Sequence, residues 1–137
     1  MNQDDYLYVT FKEFSNLLNI RFEKNIFTKE DPIRYTFFHT ISENLELAPH
    51  DILLESPHPT IEKAEIDMLI PSTSKNPELI FEFKYDVKRR SVVPHPFKAG
   101  ALFADIFRLY LYKKDNQNTR CFFIYVTDME MANYLSR

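Results

Sequence analysis

The feature that most restricts what this 137-residue chain can fold into is its single glycine, Gly100. Glycine supplies the positive backbone φ of tight turns and the close backbone approach of phosphate-binding loops. Folds of the P-loop or dinucleotide-binding type are therefore close to excluded. The turns must instead be built from proline, asparagine, aspartate and serine, and the chain contains eight prolines.

Composition and charge indicate one ordered globular domain spanning residues 1–137. Hydrophobic residues make up 45% of the chain, and its length is sufficient to bury one core. The formal net charge is -3, so the molecule as a whole does not attract nucleic acid. A nucleic acid partner would have to be held by a local basic patch.

Several features predict a cytoplasmic protein without membrane association. Cys121 is the only cysteine, which excludes an intramolecular disulfide and fits a reducing compartment. It lies in an apolar run that is typical of a buried strand. Residues 1–6 lack the basic and apolar regions of a signal peptide, and no apolar run reaches membrane-spanning length. The four histidines lack the spacing of zinc ligands.

Two helices are predicted in the first third of the chain. The capping-box pattern Thr10-Phe11-Lys12-Glu13 precedes apolar residues at helical spacing, which predicts a helix over residues 11–23. Asp31 followed by Pro32 is typical of a helix N-cap and first helical residue. The second helix then places four apolar side chains on one face, namely Ile33, Phe37, Ile41 and Leu45.

The rest of the chain alternates strands with helices. Strands are predicted at residues 51–55, 64–70 and 78–85, followed by a helix over 98–114 and an interior strand over 121–126. A last helix begins at Thr127. On the helix over 98–114 we expect Asp105 to pair with Arg108, and we expect three aromatic side chains to lie in the core, namely Phe103, Phe107 and Tyr110. This order predicts a mixed α/β fold.

The second and third predicted strands carry charged residues where buried strands have none. Because side chains alternate across a strand, Asp67, Glu82 and Lys84 can converge on one side of the sheet. Two carboxylates brought together repel unless a cation lies between them, and oxygen ligands suit Mg²⁺ or Mn²⁺. Alternation alone fits at least as well a solvated hairpin face on which glutamate opposite lysine gives a weak cross-strand pair.

Asp67 followed fifteen positions later by Glu82-Phe83-Lys84 resembles the motif of the PD-(D/E)XK nuclease superfamily, the restriction-endonuclease-like fold. The family core has the order α-β-β-β-α-β around a central mixed sheet flanked by helices, and the order predicted over about residues 32–127 is the same. The segment 99–109 resembles the family's second core helix. Ile66 stands where the family motif has proline.

The resemblance implies a metal-dependent nuclease that hydrolyses phosphodiester bonds, with DNA as the expected substrate. Asp67 and Glu82 would be ligands of Mg²⁺ or Mn²⁺, with the Phe83 backbone carbonyl a further oxygen, and Lys84 would position the attacking water and stabilise charge on the phosphate. Many family members add an acidic residue from the first core helix, for which Glu30 and Glu43 are the candidates.

The alternative is a catalytically weak or inactive nuclease-fold module that binds nucleic acid or a protein partner. The basic run Lys88-Arg89-Arg90 follows the motif and could contact phosphates, or could be a solvated loop. Glu65 shares a predicted face with Asp67 and is expected to face solvent. A core this short offers little surface for specific recognition, so a homodimer or a separate recognition partner is expected.

Overall fold

The computed structural model describes residues 1–26, 28–86 and 95–127 of the chain. Within these ranges lie three α-helices and a four-stranded mixed open sheet, which is the α/β class that the sequence predicts. The chain divides into two compact units, Met1–Ile52 and Leu53–Arg137. The predicted basic run Lys88-Arg89-Arg90 and the predicted last helix, apart from Thr127, lie outside the described residues.

The N-terminal unit begins with helix α1, Gln3–Glu23, which starts earlier than predicted. Its N-terminus is capped by Asn2, whose side chain accepts a hydrogen bond from the Asp5 backbone while the Asp5 carboxylate accepts one from the Asn2 backbone. The predicted capping box at Thr10 is therefore wrong. Thr10 lies inside the helix, where its hydroxyl donates to the Tyr6 carbonyl at 2.8 Å.

Helix α2, Glu30–Asn44, also differs from the prediction at its start. Lys29 is the N-cap residue, so Asp31 is not the cap and instead pairs with Arg34 at 2.5 Å. Pro32 is tolerated because the first helical turn needs no backbone donor there. The predicted apolar face is confirmed at its centre, where the fully buried Phe37 packs edge-on against the ring of Phe14. A short 3-10 turn, Pro49–Asp51, follows α2.

Residues other than glycine occupy the positive-φ positions of this chain, as its composition requires. Asn25 and Glu46 follow α1 and α2 with φ of 54° and 53°, and Glu55 and Lys63 have φ of 55° and 63°. Such backbone conformations cost side-chain-bearing residues roughly 1–2 kcal/mol each. Gly100, by contrast, lies inside a helix where no neighbour would contact an added Cβ.

The second unit contains β1 (Leu53–Pro57), β2 (Glu65–Ile70), β3 (Leu79–Asp86), helix α3 (His95–Asp115) and β4 (Arg120–Thr127). The sheet order is β1-β2-β3-β4. The first two pairings are antiparallel and the β3–β4 pairing is parallel. A parallel pair needs a crossover connection, and α3 lies within it. The element order from α2 to β4 is the predicted one.

Helix α3 packs on one face of the sheet, and this packing corrects the predicted core. Its buried Tyr112 lies in one cluster with Ile66 and Ile80, against which Leu109 also packs. The aromatic stripe predicted to be core is instead exposed, at 61% for Phe103, 57% for Phe107 and 58% for Tyr110. The sequence offers two apolar lines on this helix, and the line ending in Tyr112 faces the sheet. No helix in the described part of the chain is long and apolar enough to cross a bilayer.

Candidate functional site

Asp67 lies at the point where both of its strand pairings are irregular. The β2–β3 register runs from Ile70 opposite Leu79 to Met68 opposite Phe81, one residue short of Asp67. There the Asp67 Oδ2 atom accepts a hydrogen bond from the Phe83 backbone N–H at 2.9 Å. A side chain thus receives a main-chain donor of β3, and this contact fixes the direction of the Asp67 carboxylate.

The β1 side of Asp67 is irregular as well. Leu54 pairs with Met68 and Ser56 pairs with Ile66, while the intervening Glu55 has a φ of 55°. Backbone strain of this kind costs roughly 1–3 kcal/mol and tends to occur at functional sites. The strained strand segment opposite Asp67 therefore marks the same place that the sequence motif indicates.

Glu82 and Asp67 form a pair of carboxyl groups in direct contact. Burial is the largest cause that raises the pKa of Glu82 from 4.5 to about 9, followed by a hydrogen bond to the Asp67 side chain and by the Asp67 charge. A hydrogen bond from the Asp67 backbone and the charge of Arg108 act in the opposite direction. At neutral pH Glu82 therefore retains its proton, which is available for the hydrogen bond to the Asp67 side chain.

Lys84 follows Glu82 on the same side of β3 and faces helix α3. Its Nζ atom lies 4.0 Å from the Asp105 Oδ2 atom, and the two side chains are 25% and 17% exposed. The other carboxylate oxygen of Asp105 forms an ion pair with Arg108, whose side chain is 43% exposed. The structure thus brings Asp67 and Glu82 together as predicted, and it adds a contact of Lys84 that the motif does not contain.

Contacts along α3 show which face of β3 is covered. Tyr112 donates a hydrogen bond to Glu78, Leu109 packs near Ile80, and Asp105 pairs with Lys84. The side of β3 that carries Glu82 therefore faces the helix. This finding overturns the alternative of a solvated hairpin face for these charges.

Sequence reasoning missed that Asp105 and Arg108 contribute to this site. It predicted their mutual ion pair, which the structure has, but not the ion pair of Asp105 with Lys84 or the effect of the Arg108 charge on Glu82. A signal was present, because Asp105 stands on the apolar line of α3 between the buried Leu102 and the sheet-facing Leu109. A charged residue at such a position indicates a specific partner.

The remaining predicted residues have individual outcomes. Glu30 is the half-buried first residue of α2, while Glu43 is exposed and lies 3.5 Å from His39. Both belong to the N-terminal unit, and their role as metal ligands stays a prediction. Glu65 is exposed, as expected. Cys121 is half-buried, and burial raises the pKa of its thiol, which disfavours a reactive thiolate.

The donor set at Asp67 and Glu82 fits a hard divalent cation. Mg²⁺ binds through one or two carboxylates and completes its shell with water and substrate oxygens. Within residues 1–26, 28–86 and 95–127, no group of three or more histidine, cysteine, aspartate or glutamate side chains could hold a metal ion. Two carboxylate ligands with positions left open for water suit Mg²⁺ or Mn²⁺. Comparisons with protein-family models, with curated proteins and with solved structures return no match to this chain.

Proposed function

We propose that this chain is a metal-dependent nuclease with a PD-(D/E)XK fold, which hydrolyses phosphodiester bonds and has DNA as its first expected substrate. The observation that carries the proposal is the contact between the Asp67 and Glu82 carboxyl groups on neighbouring strands, with the pKa of Glu82 raised to about 9. A fold that places two acidic groups together on its covered face accepts a cost that a bound cation removes.

The side chains of the site have distinct roles in this proposal. Asp67 and Glu82 would hold Mg²⁺ or Mn²⁺, and the Phe83 N–H keeps the Asp67 carboxylate oriented. The Phe83 carbonyl remains a candidate further ligand. When bound, the cation supplies Lewis-acid stabilisation of phosphate charge and lowers the pKa of a coordinated water. Lys84, two residues after Glu82 on β3 and paired with Asp105, would supply a compact positive charge that stabilises negative charge developing on the phosphate.

The test is cleavage of labelled nucleic acids by the purified chain. Single-stranded, double-stranded and branched DNA and single-stranded RNA are incubated with Mg²⁺, with Mn²⁺ or with EDTA. We expect cleavage that requires the metal and that Lys84→Ala abolishes while the fold and the metal affinity are retained. Absence of cleavage of every substrate would overturn the proposal, and binding without cleavage would favour the inactive module instead.

A further inference from the structure

Asp105 bridges two cations with its two carboxylate oxygens. Its Oδ2 atom faces the Lys84 ammonium at 4.0 Å, and its Oδ1 atom pairs with the Arg108 guanidinium. With 17% of its side chain exposed, Asp105 is well shielded from solvent. A shielded carboxylate between two cations restricts where both of them can lie, since Arg108 would lose a charged hydrogen-bond partner and Lys84 an ion-pair partner if it moved.

Arg108 differs from Lys84 in its exposure. Its side chain is 43% exposed, compared with 25% for Lys84. A guanidinium has five N–H donors in a planar fork, and one ion pair leaves donors available. Arg108 is thus a partly exposed cation that shares the Asp105 carboxylate with Lys84, and its guanidinium has the type of donors that bind phosphate oxygens.

The net charge of the acidic and basic side chains around Asp67 and Glu82 explains why the site would need Arg108 in addition to Lys84. Three carboxylates, Asp67, Glu82 and Asp105, oppose the cations Lys84 and Arg108, so the fully ionised cluster carries one net negative charge. A divalent ion changes this to one net positive charge, which attracts a phosphodiester. Without Arg108 the metal-loaded cluster would be neutral and would lose that attraction.

We propose that Asp105 and Arg108 are working parts of the candidate site: Asp105 is a positioning residue that holds Lys84 and Arg108 side by side, and Arg108 contacts a phosphate of the substrate. This inference rests on the proposed nuclease function. A purely structural role, in which the ion pairs only attach α3 to the sheet, predicts effects on stability alone.

Two measurements separate these roles. Asp105→Asn keeps the shape of the side chain but releases the two cations, so kcat falls by roughly 10- to 100-fold while KM changes little. Arg108→Ala raises KM and lowers the slope of log binding constant against log salt concentration by about 1, the value for one lost phosphate contact. Binding is measured by fluorescence anisotropy with a short labelled DNA duplex and its single strand, in the Glu82→Gln background.

Lys114→Ala is the matched control, because it removes an exposed cation from the same helix. We expect it to leave kcat and the salt slope unchanged. Arg108→Lys retains the positive charge and should restore the wild-type salt slope. If Asp105→Asn does not fold, Asp105→Glu takes its place. Because Asp105→Glu keeps the carboxylate, it should retain more than half of the wild-type kcat.

Wild-type cleavage combined with an unchanged kcat in Asp105→Asn overturns the positioning role. A salt slope in Arg108→Ala equal to that in Lys114→Ala overturns the phosphate contact. Both results would leave the proposed function standing, whereas a wild-type chain that cleaves nothing removes the proposed function and this inference together.

Discussion

Two half-buried glutamates four residues apart, Glu78 and Glu82, lie on the α3 side of the sheet in opposite surroundings. Glu78 accepts hydrogen bonds from the Tyr112 hydroxyl at 2.6 Å and the Thr119 hydroxyl at 2.9 Å. Glu82 contacts the carboxyl group of Asp67, and its pKa is raised to about 9. Burial alone therefore does not distinguish a functional carboxylate from a structural one.

The difference lies in what neutralises each charge. Two hydroxyl groups of the fold donate to the Oε1 atom of Glu78, so its carboxyl group already has partners within the chain. A second carboxyl group satisfies Glu82 only if a proton or a cation is shared between the two groups. The Glu82 end of the sheet is thus the one that depends on something outside the chain.

The largest expected effect is on cleavage. Glu82→Gln removes a proposed metal ligand and should lower kcat/KM by more than the ~100-fold that loss of an outer-shell partner costs. Glu78→Gln makes the same chemical change on the same side of the sheet and should leave kcat/KM close to wild type. Both variants are assayed with saturating Mg²⁺ on the best substrate of the panel. Equal losses of kcat/KM in the two variants would contradict the assignment of a functional role to Glu82 and a structural role to Glu78.

The next effect is on the pH dependence of stability without metal. The pKa of Glu82 is about 9 in the fold and near 4.5 in the unfolded chain, so the unfolded chain releases this proton first as pH rises. The contribution of Glu82 is full below about pH 4.5 and is lost towards pH 9, with a slope of up to ~1.4 kcal/mol per pH unit.

Urea denaturation in EDTA at a series of pH values measures this slope. The free energy of unfolding of Glu82→Gln, which cannot ionise, should exceed that of wild type increasingly as pH rises over this window. Wild-type and Glu82→Gln curves that stay parallel from acid to alkaline pH would show that Glu82 is ionised in the metal-free fold.

A smaller effect is expected at the Glu78 end. Tyr112→Phe removes one of the two hydroxyl donors to Glu78 and should lower the free energy of unfolding by about 1–3 kcal/mol. Thr119→Val removes the other donor. Because both hydroxyls donate to the same acceptor atom, the loss of unfolding free energy in the double variant should differ from the sum of the two single losses. Cleavage should persist in each folded variant. A loss of kcat in Tyr112→Phe without a loss of folding would show that the Glu78 end also contributes to cleavage.

The sequence predicted the Glu82 end better than the helices around it. Strand alternation and the spacing of Asp67 from Glu82 were enough to predict that these carboxyls meet, because both are properties of neighbouring strands. The predicted start of α1 was wrong, because Asn2 and Asp5 form the capping box although Asp5 is not the glutamate or glutamine that the sequence pattern requires.

The roles of α3 depended on tertiary packing. Its aromatic line through Phe107 and its sheet-facing line through Tyr112 are both apolar, so periodicity could not say which one is buried. The contact of Asp105 with Lys84 joins residues from two elements and has no local signature. The strain at Glu55 was likewise invisible, because the residue itself does not favour a positive φ.

The smallest expected effect tests whether the two ends differ through their side chains or through the helix that contacts both. Gly100 lies in α3, where an added Cβ would meet no neighbour, so Gly100→Ala should stabilise the fold by about 0.4–1 kcal/mol. Tyr112, at the Glu78 end, and Arg108, at the Glu82 end, both belong to α3. Stabilising this helix should therefore affect the two ends of the sheet to the same extent. Thermal unfolding should therefore shift upward while the pH slope and kcat/KM stay at wild-type values. A changed pH slope in Gly100→Ala would mean that the pKa of Glu82 depends on the stability of the helix rather than on its contact with Asp67.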